Sequence, residues 1–147
     1  MISQKLTIEL VPRTAWFNNV RSNVAPEIWQ KLKKRTAAKA KYCCEICGGQ
    51  GKKWAVECHE IWNYDDVNHR QNLQGLIALC PSCHAVKHMG YTNLQGKAIE
   101  ATHHLAKING WSYEEAVNYV EAQFQIWQER SQYDWELDIL WLENINL

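Results

Sequence analysis

Two cysteine pairs dominate the chemistry open to this sequence. Cys44 and Cys47 form one C-x-x-C, Cys80 and Cys83 form another, and 32 residues separate them. Two residues between thiolates let both sulfurs point inward from a tight turn, so two such turns supply the four corners of a tetrahedron, the geometry Zn²⁺ accepts. Four thiolates leave no position for water. The expected role is structural, with binding energy on the order of 10 kcal/mol or more pinning the 44–51 loop to the segment after Cys80. Cys43 is a neighbour that could substitute for Cys44, and Cys58 has no assignment by spacing.

Three histidines sit close to these pairs in sequence. His59 falls between them, His84 follows Cys83 directly, and His88 lies one helical turn beyond His84. A metal knuckle that ties the segment of His59 to the helix of His84 would bring two imidazoles into one groove, where they could share a metal-bound phosphate. That is a hydrolase geometry. His69, His103 and His104 read as ordinary solvent-facing or hydrogen-bonded side chains.

The elements that must position these groups follow from periodicity. Leu6, Ile8 and Leu10 alternate with polar neighbours over Lys5 to Val11, the period of a half-buried strand that Pro12 ends. Pro26 at a first helical position, with Ile28, Trp29, Leu32, Thr36 and Ala40 on one broad face, predicts a helix to about Lys41. Cys43 to Gly51 is a glycine-rich tight loop. Trp54 to Glu60 and Leu76 to Leu79 read as two short strands joined by a polar connection, after which Pro81 opens a helix that Gly90 closes. Leu94, Ala98, Ala101, Leu105 and Ile108 mark an amphipathic helix stopped near Gly110. Ser112 with Glu115 gives a capping-box signal for the next helix, to about Arg130. Trp135 to Trp141 alternates again, and this last strand is expected to pair with the first.

At 147 residues with 46% apolar and 22% charged content, the chain is read as one soluble globular domain rather than a disordered or low-complexity scaffold. No run reaches the roughly 18 apolar residues of a membrane span, and the start lacks signal-peptide features. An intracellular, cytoplasmic location is therefore expected, where paired thiols hold metal more often than disulfides. The zero formal charge conceals a gradient. Residues 1–53 carry a net +8 and residues 112–147 a net −7. The densest basic stretch, Lys31, Lys33, Lys34, Arg35, Lys39 and Lys41, with Lys52 and Lys53 beyond the first Cys pair, offers a docking surface for a polyanion.

Cys44-x-x-Cys47, Glu57-Cys58-His59-Glu60-Ile61 and Leu79-Cys80-x-x-Cys83-His84-x-x-Lys87 occur in the order of a known pattern. Over about residues 42–90 the chain resembles the HNH endonucleases of the zinc-knuckle type. The resemblance implies an α+β protein with a ββα-metal (His-Me finger) core and a four-cysteine zinc knuckle. An N-terminal basic strand and helix (1–41) and an acidic C-terminal extension of helices plus a terminal strand (91–147) would flank it. It further implies a nuclease acting on DNA, contacted chiefly through its backbone by the basic residues named above. His59 would be the general base. His84 would be a ligand of a catalytic divalent ion, Mg²⁺ or another, with His88 as a further ligand. The family's middle Asn falls where this chain has Gly75. Asn72 is the nearest replacement, with Asn68 or His69 as others. The residue before the base is Cys58 where the family often has an acidic ligand, and a soft thiol suits Mg²⁺ poorly. These departures also admit a catalytically inactive zinc-stabilised module that binds DNA or, through its tryptophans, a protein.

Overall fold

The computed structural model describes residues 5–49 and 56–147. It is a mixed α+β structure, with six α-helices and a three-stranded sheet among those residues. The centre is a hairpin of β1 (Glu57–Asp65) and β2 (Arg70–Leu79). Asp65 nucleates its turn by accepting from the amides of Val67 and Asn68, and His69 completes it with φ 53°. A bulge interrupts the register, Ile61 pairing with Gly75 and Trp62 with Leu73, so Gln74 is the extra residue.

Both strands are longer than their apolar content predicts. The polar stretch expected as a connection is the outer half of the hairpin, leaving only four residues for the turn. Trp54, the expected start of the first strand, lies outside the described residues, as do Lys52 and Lys53.

The helices are α1 (Val20–Asn23), α2 (Pro26–Lys39), α3 (Pro81–Lys87), α4 (Met89–Leu94), α5 (Ala98–Asn109) and α6 (Tyr113–Arg130). Several boundaries are those the sequence dictates. Pro26 opens α2, Gly110 ends α5 in a left-handed conformation at φ 69°, and Ser112 and Glu115 cap α6 reciprocally. Gly90 does not close the helix begun at Pro81. The break comes two residues earlier, at His88, and Gly90 lies inside α4.

The hairpin separates two apolar clusters. On one face Leu79 joins Val86, Met89, Leu105 and Ala116 of the α3 to α6 helices. On the other, Trp62 and Leu73 pack against Trp29 and Leu32 of α2. Alternation along β1 therefore sends Cys58 toward α2 and its neighbour His59 toward α3.

The ends of the chain depart from expectation. Residues 5–12 bury Leu6 and Ile8 as the alternation predicts, yet they form no strand. Side chains replace a partner strand. Asn109 Oδ1 accepts from the amides of Lys5 and Leu6, its Nδ2 donates to the Leu6 carbonyl, and Tyr119 Oη accepts from Ile8. The last strand, β3 (Glu136–Asp138), is three residues long and pairs in parallel with the start of β2, not with the N-terminal segment. A short 3₁₀ turn, Leu140–Asn144, follows it.

Candidate metal centre and imidazole cluster

Cys44 and Cys47 lie on the turn after α2, while Cys80 caps the N-terminus of α3 and Cys83 sits in its first turn. Left-handed conformations at Lys41 and Tyr42 reverse the chain after α2, and Gly48 at φ 76° closes the knuckle. Glu45 fastens this turn to β2, its amide donating to the Ala78 carbonyl and its carboxylate accepting from the Ala78 amide at 2.7 Å.

The four sulfurs all lie within 4.8 Å of one another, and those of Cys47 and Cys80 are 3.7 Å apart. A tetrahedron with Zn–S arms of about 2.3 Å has edges of about 3.8 Å, so this spacing fits zinc. Backbone amides support the thiolates: Cys47 N donates to Cys44 Sγ, Gly49 N to Cys47 Sγ, and Cys83 N to Cys80 Sγ. Burial opposes ionisation of Cys44, but amides of Cys47, Cys80 and Ile46 outweigh it and bring the thiol down to about 7. Burial and then the neighbouring sulfurs push Cys83 up. Thiolates this close together repel unless a cation lies between them. The cluster could hold a metal ion such as zinc. Cys43 is not one of the four, and its sulfur faces the Lys41 carbonyl.

Three imidazoles form the second cluster. His59 from β1 and His84 and His88 from α3 and its end meet with ring centroids 5.2, 5.1 and 4.7 Å apart, each pair edge to face. One nitrogen from each lies within 4.8 Å of the others. Carboxylates orient two of the rings. His59 Nε2 lies 2.8 Å from Glu9 Oε2, and His84 Nδ1 lies 2.9 Å from Glu57 Oε1. Carboxylate on one imidazole nitrogen fixes the tautomer and leaves the other nitrogen as the electron-pair donor. That other atom on His59, Nδ1, is buried and has no hydrogen-bond partner among the described residues. Burial lowers His84 despite Glu57, and burial with the two neighbouring rings takes His88 down to about 3. Both are neutral near pH 7, with lone pairs available.

Glu9 is itself held. Lys87, 5% exposed, donates to Glu9 Oε1 at 3.1 Å and to Thr7 Oγ1 at 2.7 Å, and the Glu9 amide donates to the Lys87 carbonyl. Burial would raise the Glu9 carboxyl, but His59 and Lys87 prevail and hold it below the usual glutamate range.

The remaining candidates are dispersed. Asn72 pairs with Asn63 and Asp138 in the outer half of the hairpin, and it does not line the cleft that opens onto the imidazoles. Its neighbour Gln71 does, at 1% exposure and with Nε2 unpartnered among the described residues. Cys58 bonds Thr36 on the α2 side, and Glu60 accepts from the Val20 amide. Lys31, Lys33, Lys34, Arg35, Lys39 and Lys41 belong to α2 and its end, across the sheet from the imidazoles, and none lines the cleft. Arg13 and Arg21 line it instead.

Glu9 and Gln71 join this site without having been expected there from the sequence, and Lys87, present in the recognised pattern without a role, is the group that holds Glu9. The one available signal is a lone acid within the alternating 5–11 segment. Nor is His104 an ordinary surface histidine, since its Nε2 is 3.3 Å from Cys83 Sγ. Comparison with known family models, curated proteins and solved structures found no match to this chain.

Proposed function

We propose that this chain is a metal-dependent nuclease of the HNH type that hydrolyses DNA phosphodiester bonds. The observation that carries the reading is the free, buried Nδ1 of His59 beside His84 and His88, next to a four-cysteine cluster. A β-hairpin followed directly by a helix, with a cysteine pair at the helix start, supports it as the order of a ββα-metal core.

In this reading Cys44, Cys47, Cys80 and Cys83 would hold zinc as a structural ion. His84 and His88 would hold a second divalent ion, which when bound supplies charge stabilisation to the phosphorane and the leaving oxygen. His59 takes a proton from the attacking water on Nδ1. Glu9, hydrogen-bonded at Nε2, stabilises the imidazolium that results and keeps the ring from rotating. Lys87 fixes Glu9 and offsets its negative charge. Donors that are imidazoles suit zinc, nickel and related ions better than Mg²⁺, which prefers oxygen, and Cys58 adds no ligand because it faces α2.

The test is nicking of supercoiled plasmid across Mg²⁺, Mn²⁺, Ni²⁺ and Zn²⁺. Cleavage should be stronger with Ni²⁺ or Zn²⁺ than with Mg²⁺ and be abolished by EDTA. His59→Ala should reduce it by roughly 10²- to 10⁴-fold, the span of a lost general base. No cleavage with any ion refutes the proposal.

The position of the basic α2 face, across the sheet from the imidazoles, favours one alternative, a zinc-stabilised DNA-binding module without catalysis. It predicts salt-sensitive binding and no nicking.

A further inference from the structure

Beside the imidazoles lies a cleft of about 700 Å³, within the range of small-ligand sites. Its lining is mostly apolar, including Leu10, Trp16, Leu94, Phe124 and Trp127. Nothing in the proposed hydrolytic step uses this wall.

Two of its indoles are unusually constrained. Trp16 and Trp127 each donate their Nε1 hydrogen to the same acceptor, the Val11 carbonyl, at 2.9 Å. Their rings are near-parallel, 21° apart in plane, with centroids at 6.5 Å. With the polar edge of each ring already satisfied, what remains for recognition is the flat π-face. Trp16 nonetheless keeps 52% of its surface exposed. A rigid, exposed indole facing a cleft marks a contact surface.

Charge narrows the occupant. Arg13 lies 4.7 Å over the Trp127 ring, and Arg21 borders the same cleft. Neither is in an ion pair among the described residues. The two carboxylates of the cleft are engaged, Glu9 with His59 and Lys87, Glu60 with the Val20 amide. The wall thus offers an exposed aromatic face and guanidinium groups not paired with a carboxylate, beside imidazoles suited to a phosphodiester. A ligand with a flat ring and a phosphate a few bonds away matches both. A paired base in a duplex has its faces covered by its neighbours, so it cannot stack here.

We infer that the cleft is a subsite for an unpaired nucleobase of a single-stranded nucleic acid segment, stacked on the exposed Trp16 beside Trp127, with its adjoining phosphate directed to the imidazole cluster. This rests on the nuclease reading for the role of the cluster, but base stacking is separable from cleavage. The substrate class is then single strands, or duplexes with a flipped or frayed nucleotide.

The experiment measures fluorescence anisotropy of a labelled single-stranded dodecamer, its duplex, and the same strand with abasic positions, all without added divalent ion so that no cleavage occurs. Base–aromatic stacking of about 1–3 kcal/mol per base corresponds to roughly 5- to 150-fold in affinity. Trp16→Ala should weaken single-strand binding by that factor and leave duplex binding within about twofold. Removing bases should cost the wild-type chain a similar factor and cost the variant little. The abasic comparison uses unmutated protein, so it holds even if a variant folds poorly. Equal affinity for intact and abasic strands, or unchanged binding by Trp16→Ala, overturns the inference. Base-dependent binding without cleavage of either plasmid or single strand under any ion keeps the subsite and rejects the nuclease. Nicking of duplex without base-dependent binding does the reverse.

Discussion

Asn109→Ala is the sharpest test of how the N-terminal segment is held. Asn109 is 4% exposed and makes three hydrogen bonds to backbone groups over a hundred residues away, to Lys5 N at 2.9 Å and to Leu6 N and Leu6 O at 2.8 Å. Leu6 is fully buried, so both of its backbone groups lose their partner and cannot turn to water. Each buried orphan costs about 1–3 kcal/mol, while the Lys5 amide is near solvent and regains a partner. The expected loss is about 2–6 kcal/mol, a large part of the roughly 5–15 kcal/mol that holds a domain together. At about 3 kcal/mol the folding constant falls roughly 150-fold. Asn109→Leu restores volume without hydrogen bonding and should be no more stable than the Ala variant. Urea unfolding gives the change from the midpoint, provided the slope is unchanged. Hydrogen exchange should show the Leu6, Ile8 and Glu9 amides opening before those of α3. A loss under about 0.5 kcal/mol, the scale of an ordinary surface substitution, or unaltered Leu6 exchange, refutes the account.

Three further outcomes are expected. Cys83→Ser should lower zinc per chain well below one equivalent by elemental analysis and lower the melting temperature, whereas Cys43→Ser should do neither. Cys58→Ser should leave metal-supported nicking within about twofold, because the thiol faces Thr36; a tenfold change would mean that it reaches the imidazoles. Burial holds the Glu60 carboxyl above its ordinary range despite the Arg21 and Val20 amides. An acid raised by folding releases its proton first in the unfolded chain, so its contribution to stability is largest below the ordinary value of about 4.3 and falls as pH rises toward the folded value. Glu60→Gln should therefore gain on wild type as pH rises above the ordinary glutamate value of about 4.3 in urea titrations; a difference that stays constant through that rise would be inconsistent with the burial.

What the sequence discloses is mainly local. The C-x-x-C pairs, Pro26 at a helix start, the Ser112–Glu115 box and Gly110 as a terminator each act within a few residues, and each recurs in the structure as read. Failures came where distant groups decide. The alternation of residues 5–11 reports burial truthfully but cannot say that Asn109 and Tyr119, rather than another strand, take the amides. The outer hairpin reads as a loop because Asn63, Asp65, Gln71 and Asn72 break the apolar pattern. Its stability comes from elsewhere, including Arg130, which binds the Asp66 carboxylate through two nitrogens, and Trp135, whose ring meets Tyr64 edge to face. The histidines near the cysteines were legible from spacing. Glu9, which orients one of them, arrives from fifty residues away.

The Val11 carbonyl serves two indoles at once, and the same dozen residues supply the carboxylate on His59 and the plug that Leu6 makes in the interior. A cut that spares only positions 42–90 would keep every motif of the recognisable pattern and discard these three provisions together. The segment that carries the cysteine and histidine pattern is therefore not a detachable part. Minimisation by truncation would fail here, and grafting the motif onto another scaffold would need the leading strap as well.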